Sequence, residues 1–298
     1  MNAQEKHNRF LGYVYSLPMG IWITVFFVAP LAIIVVYSFL KKGLYGGVVW
    51  EFSLDAYKGM ANPAFLVIVW RTIWISALST AIILLISLPC GYAMARSKHQ
   101  TLFLFLVIIP FWTNSLIRIY AWINLLSTEG FINNFLQRIG IISSPLPLIN
   151  NAFAVVLVLV YMYIPYAVLP LFTTIDKFDF ALLDAARDLG ATKLQAMLRV
   201  LLPNIRSGIT TALVFTFIPI FGAYTVPLLV GGMSSTMVGN IIVDQVQKTR
   251  NWPLASAFSV VLTIISMAGV LLMVSSGNKE KQAKKTVKNE EYMQEGKR

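Results

Sequence analysis

Six apolar runs constrain this chain more than any other feature: Leu17–Leu40, Ile73–Ala95, Leu102–Trp122, Ala152–Phe172, Gly208–Val230 and Leu254–Val274. Each is close to the roughly 20 residues that cross about 30 Å of hydrocarbon at about 1.5 Å per residue. In lipid a backbone must satisfy its own hydrogen bonds, so such runs are helical. A membrane barrel would instead show alternating segments of about ten residues. Only 12% of the residues are charged, against roughly 25% in a soluble domain. The expected fold is therefore all-α and integral to a membrane, with six transmembrane helices. The first run is longer than the 7–15-residue apolar core of a signal peptide, and no small-residue cleavage site follows it. It is expected to be a retained span. The chain divides into a short segment 1–16, a transmembrane domain 17–275 and a basic tail 276–298. The tail is polar and of mixed charge, and is expected to be disordered near anionic lipid.

Six spans put both termini on one side. That side carries sixteen of the 24 Lys and Arg, and the other carries eight. The positive-inside rule then makes the termini cytoplasmic. Without the tail the margin falls to nine against eight, so the loops Arg96–Thr101 and Thr173–Ser207 carry the assignment. The net charge of +11 is thus a topology signal. The basic residues form no patch interleaved with aromatics, which argues against nucleic acid as a partner.

Chemistry of other kinds is missing from the sequence. Cys90 is the sole cysteine, and His7 and His99 are far apart, so no metal-ligand cluster is expected. There is no G-x-x-x-x-G-K-[ST] phosphate loop, no G-x-S-x-G and no H-E-x-x-H. None of the six runs contains Asp or Glu. Ion-coupled carriers commonly hold a carboxylate at depth, although carbonyls alone can hold Na⁺. No catalytic residue and no cofactor of its own are expected.

The loop 173–207 is organised. Phe180–Leu189 predicts a short helix with Leu182, Ala186 and Leu189 on one face. Gly190 predicts a left-handed stop. Thr192–Val200 predicts a second helix leading to Pro203. Ala185 and Ala186 let a partner's backbone approach, while Asp184, Arg187 and Asp188 offer charge-assisted contacts around the apolar stripe. Such a knob fits a groove on another protein; the competing reading is an amphipathic helix resting on lipid.

The stretch Asp184-Ala185-Ala186, three residues, Gly190, nine residues, then Val200-Leu201-Leu202-Pro203, resembles the EAA motif of ABC-importer permeases. It departs in Asp184 for Glu and Val200 for Ile, and the shorter Asp184 has less reach. The resemblance implies a type I ABC-importer permease (MetI-like) fold. It also implies a coupling loop seated in a separate ATPase subunit, which uses the ATP and Mg, with Leu202 and Pro203 closing the motif. Two further stretches, Pro110–Asn133 and Gly231–Pro253, resemble the B-type subunit of spermidine/putrescine importer permeases. The implied partners are a second permease, an ATPase dimer and a periplasmic polyamine-binding protein, all at the bacterial inner membrane.

A polyamine carries several ammonium groups, and aromatic faces attract such cations. The pathway candidates are Trp112, Asn114, Tyr120, Tyr161, Phe221 and Tyr224, with Tyr163, Tyr166 and Ser115 behind them. Each competes with a role in packing or in the interfacial aromatic belt. Arg118 is expected to snorkel toward an interface or to contact the binding protein, and Arg71 to snorkel. Two alternatives stand beside the polyamine reading. One is an importer of another small solute such as ferric iron; the other is an ion-coupled secondary carrier.

Overall fold

A computed structural model describes residues 15–271. The expected tail 276–298 and nearly all of the segment 1–16 lie outside them. Four helices are long and apolar enough to span a membrane: α1 (Tyr15–Ser38), α3 (Pro63–Ala95), α7 (Ala152–Asp176) and α13 (Trp252–Leu271). Two bent pairs make six when each pair counts as one span. Between α1 and α3 lie β1 (Leu40–Lys42), β2 (Val48–Phe52) and the short α2 (Asp55–Met60). Strands β1 and β2 form an antiparallel hairpin, an addition to the helical fold that the apolar runs did not signal.

The expected third span is not one straight helix. α4 (Gln100–Ile108) tightens into a 3-10 turn at Ile109–Trp112. After a 90° bend the chain re-enters a helix at α5 (Ser115–Leu126), continued by α6 (Phe131–Arg138). Pro110 removes a backbone donor from the last turn. Thr113 is extended, and the Asn114 side chain caps α5 by accepting the Leu116 N–H at 2.8 Å.

The fifth run is also divided. α8 (Ala181–Asp188) and α9 (Lys193–Asn204) precede α10 (Arg206–Phe221), which bends 72° from α9 at Ile205. α10 stops at Gly222, and the remaining apolar residues form a separate α11 (Thr225–Val230). Within α9, Pro203 has no N–H to donate to Arg199. The turn before it widens, and the Leu202 N–H reaches back five residues to the Met197 carbonyl. The stretch after Gly231 contains a helix, α12 (Val238–Gln247).

The chain forms two compact units. Among the described residues, one holds 15–66 together with 241–264; the other holds 67–240 with 265–271. In the first, Phe39 stacks on Phe52 and leans on Tyr57, whose hydroxyl lies 2.9 Å from the Ser38 hydroxyl. Phe65 meets Phe258 edge-on.

In the second unit the core follows α7 against α10, through Val158, Leu159, Leu171, Ala212 and Ile220. Gly208 permits that approach: a Cβ there would sit 2.5 Å from the Thr174 hydroxyl. Small residues at such crossings let helix backbones close up where lipid supplies no hydrophobic drive. Buried Asn133 staples the re-entrant segment. Its amide donates to the carbonyls of Ser127 and Leu146 and accepts from the Leu146 N–H at 2.8 Å. Asn240 plays a similar part, donating to the Tyr224 carbonyl and accepting from the Met237 N–H.

Candidate functional site

The loop 173–207 forms a knob of two short helices. The Asp179 carboxylate accepts the Ala181 N–H and starts α8. Gly190, at φ +89°, ends it. The Gly190 N–H returns to the Arg187 carbonyl and the Ala191 N–H to the Ala186 carbonyl. These are the two bonds of a Schellman stop. Thr192 then caps α9 reciprocally with Gln195, each side chain accepting from the other's backbone N–H.

Packing sorts the apolar residues of the knob differently from the expected single stripe. Leu183 and Ala196 are buried, and Ala186 leans on the core with them. Leu182 and Leu194 point outward, and Leu189 at the apex is 90% exposed. Ala185 is exposed beside them. Asp184, Arg187, Asp188 and Lys193 line a polar depression next to the apex. Arg187 lies 3.7 Å from Asp184, an exposed pair that contributes little to stability. Leu202 packs against the core, and exposed Pro203 follows it at the bend.

Arg96 joins the site, although the sequence marked it only as a topology charge. Its guanidinium lies 5.3 Å from the Phe180 ring centre and donates to the Tyr92 hydroxyl at 3.2 Å. Tyr92 in turn meets Phe180 edge-on. The hydrogen bond to Tyr92, with help from the Asp184 charge, holds the Arg96 pKa above its ordinary value. Four residues on, Gln100 donates to the Asp176 carboxylate at 3.0 Å. The turn between α3 and α4 is therefore stitched to the root of the knob.

The pathway candidates separate by environment. Trp112, Tyr120 and Tyr224 are exposed, Trp112 to 77%. The Asn114 oxygen, read as a possible ammonium ligand, is occupied as the cap of α5. Phe221 is 1% exposed and stacks on Phe217, so it belongs to the core. Tyr163 and Tyr166 form a tilted pair with ring centres 5.6 Å apart. Tyr161 belongs to a cluster that the candidates did not include. It stacks on Phe111 at 6.2 Å and takes Trp122 edge-on at 5.4 Å. Arg118 lies over the Phe111 ring at 4.4 Å. A charged residue within an apolar run was the available signal for this cluster.

Residues 83–277 match the family model described as binding-protein-dependent transport system inner membrane component. The spermidine/putrescine transport system permease protein PotB of Haemophilus influenzae is 37% identical over 260 residues, covering 87% of this chain and 91% of that protein. The protein of the same name from Escherichia coli is 36% identical over 255 residues, covering 85% and 92%. The fold is similar to that in the crystal structure of a bacterial ABC transporter involved in the import of the acidic polysaccharide alginate. The TM-score is 0.75 at 17% identity, covering 93% of this chain and 98% of that one. The MetNI methionine ABC transporter also aligns, with a TM-score of 0.52 at 20% identity. With a family match over most of its spans and relatives above 30% identity along nearly its whole length, the chain belongs to the inner-membrane permease components of binding-protein-dependent transport systems.

Proposed function

We propose that this chain is one of two permease subunits of a polyamine importer, driven by a separate ATPase pair and fed by a periplasmic binding protein. The observation that carries the reading is the knob of α8 and α9. It displays Leu182, Leu189 and Leu194 to the outside beside a charged depression, and none of the described residues covers them. The sequence has no phosphate loop of its own, so energy enters where the knob docks. ATP and Mg belong to the docked partner. Similarity to the two PotB proteins supports spermidine and putrescine as cargo. Seating the knob in a cytoplasmic ATPase also places both termini in the cytoplasm, in agreement with the charge bias.

In this mechanism ATPase closure displaces α8 and α9. The widened turn before Pro203 and the bend at Ile205 pass that displacement into α10, whose main partner is α7. Arg96 and Gln100 carry it to the α3–α4 turn. Access to the pathway then alternates between the two faces of the membrane. No Asp or Glu lies in the apolar runs, and exposed aromatic rings bind a cation weakly enough to release it.

The test is a reconstituted complex with its binding protein, unloaded or loaded with spermidine, putrescine or ferric ion. ATP hydrolysis is expected to rise only with a loaded polyamine. Stimulation by ferric ion alone would replace the cargo assignment, and uptake that persists without the ATPase but needs an ion gradient would replace the class.

A further inference from the structure

We infer that Phe111, Trp122 and Tyr161 form an aromatic cation site for an ammonium group of the cargo, and that Arg118 occupies this site as a tethered stand-in until the cargo displaces it. The inference rests on the polyamine reading above.

Arg118 is the only charged residue in the run Leu102–Trp122. An ionisable side chain within an apolar span is costly and calls for a partner. Its guanidinium carbon lies 4.4 Å from the centre of the Phe111 ring. Its Nε and Nη1 atoms are buried and have no hydrogen-bond partner. A guanidinium has five N–H donors, so this placement satisfies the charge on a ring face and leaves the three on Nε and Nη1 unused. Buried donors left unpaired are destabilising. The position therefore suits a cation that can be exchanged.

The rings around it have the arrangement such a site needs. Phe111 precedes the bend in the third span, Trp122 follows it, and Tyr161 comes from α7. Phe111 stacks on Tyr161 and Trp122 meets Tyr161 edge-on. All three are partly buried, which strengthens a cation–π contact by excluding water. Trp122 stands one helical turn after Arg118 on α5. An alkylammonium has the charge but not the width of a guanidinium, so it fits a face that Arg118 vacates.

The experiment uses the reconstituted complex and measures the apparent KM for spermidine delivered by the binding protein. If the wild-type complex does not respond to spermidine, the polyamine reading fails and the stand-in fails with it. If it does respond, R118M isolates the present inference. R118M is expected to lower the apparent KM by about two- to thirtyfold, the range that a cation–π contact of about 0.5–2 kcal/mol converts to. R118K keeps a cation in place and should stay near wild type. In an F111L background the gain from R118M should vanish, because there is no face left to vacate. A KM for R118M that is unchanged or raised overturns the inference. So does a gain that survives in F111L, since that would be simple relief of charge repulsion. An R118M subunit that no longer assembles would make Arg118 a structural residue and would also overturn it.

Discussion

Gly190 offers the sharpest test of how the knob is built. Its φ of +89° lies in the half of conformational space that L side chains avoid. A Cβ built on it would meet no atom within 4 Å. A substitution at this position therefore meets no steric obstacle within the chain, and its whole effect is torsional. For an L residue the left-handed backbone is less favourable by about 1–2 kcal/mol, and β-branched residues tolerate it least. The two Schellman bonds, from Gly190 to Arg187 and from Ala191 to Ala186, hold only while the turn does. If only the turned loop docks, apparent affinity falls with the fraction of turned loop. Gly190→Ala should then weaken ATPase binding by up to about thirtyfold, and Gly190→Val by more. Gly190→Asn, whose side chain tolerates this region, should stay close to wild type. The assay is titration of purified ATPase subunit onto the permease pair in nanodiscs, with spermidine uptake in proteoliposomes beside it. Equal affinities for Asn, Ala and Val would refute the torsional argument. A loss for Asn as large as for Val would instead mean that the partner packs directly onto the glycine.

Two other substitutions read separate parts of the structure. Leu189→Asp removes the most exposed apolar side chain of the knob, one whose burial in a partner is worth about 1.5–3 kcal/mol. It should cost at least about tenfold in ATPase affinity while membrane insertion and pairing with the second permease, followed by co-purification, stay intact. Asn133→Leu removes a fully buried amide with its three backbone bonds; it leaves the Leu146 N–H unpaired, while the Ser127 and Leu146 carbonyls keep the N–H groups of Gly130 and Leu148. An orphaned buried N–H costs about 1–3 kcal/mol, so the detergent-solubilised complex should unfold at a lower temperature, and the segment Phe131–Arg138 should become protease-sensitive first.

The helices that cross the membrane were legible because their signal is local. Twenty apolar residues carry the same meaning wherever they occur, and the stop at Gly190 is written beside the helix it ends; Asn114, read as an ammonium ligand, and Thr192 are caps that the reading passed over. The breaks were harder. The runs Leu102–Trp122 and Gly208–Val230 are apolar enough that composition passes over their breaks. Pro110 with Thr113-Asn114, and Pro219 with Gly222, are the punctuation beside them. The hairpin β1–β2 escaped notice because its strands of three and five residues are mostly exposed and show no alternation of buried and exposed positions. Gly46 and Gly47, both at positive φ, were its one written trace.

The site divides along the same line. The motif around Asp184 marked out the knob, yet helical periodicity alone could not say which of its leucines faces the protein. Leu182 and Leu183 are neighbours in sequence, and only packing against Ala196 and the rest of the core turns Leu183 inward and Leu182 out. Arg96 and Arg118 were least legible. Each was counted as one positive charge, whereas the Phe180 ring that Arg96 faces lies more than eighty residues away in sequence. The ring under Arg118 is only seven residues away, but it lies across a 90° bend. A basic residue in an apolar chain therefore says where to look for function without saying what it does there. That meaning comes from aromatic faces which the bends and the long α7 bring to it, and at Arg118 the same faces are the ones a cationic cargo would seek.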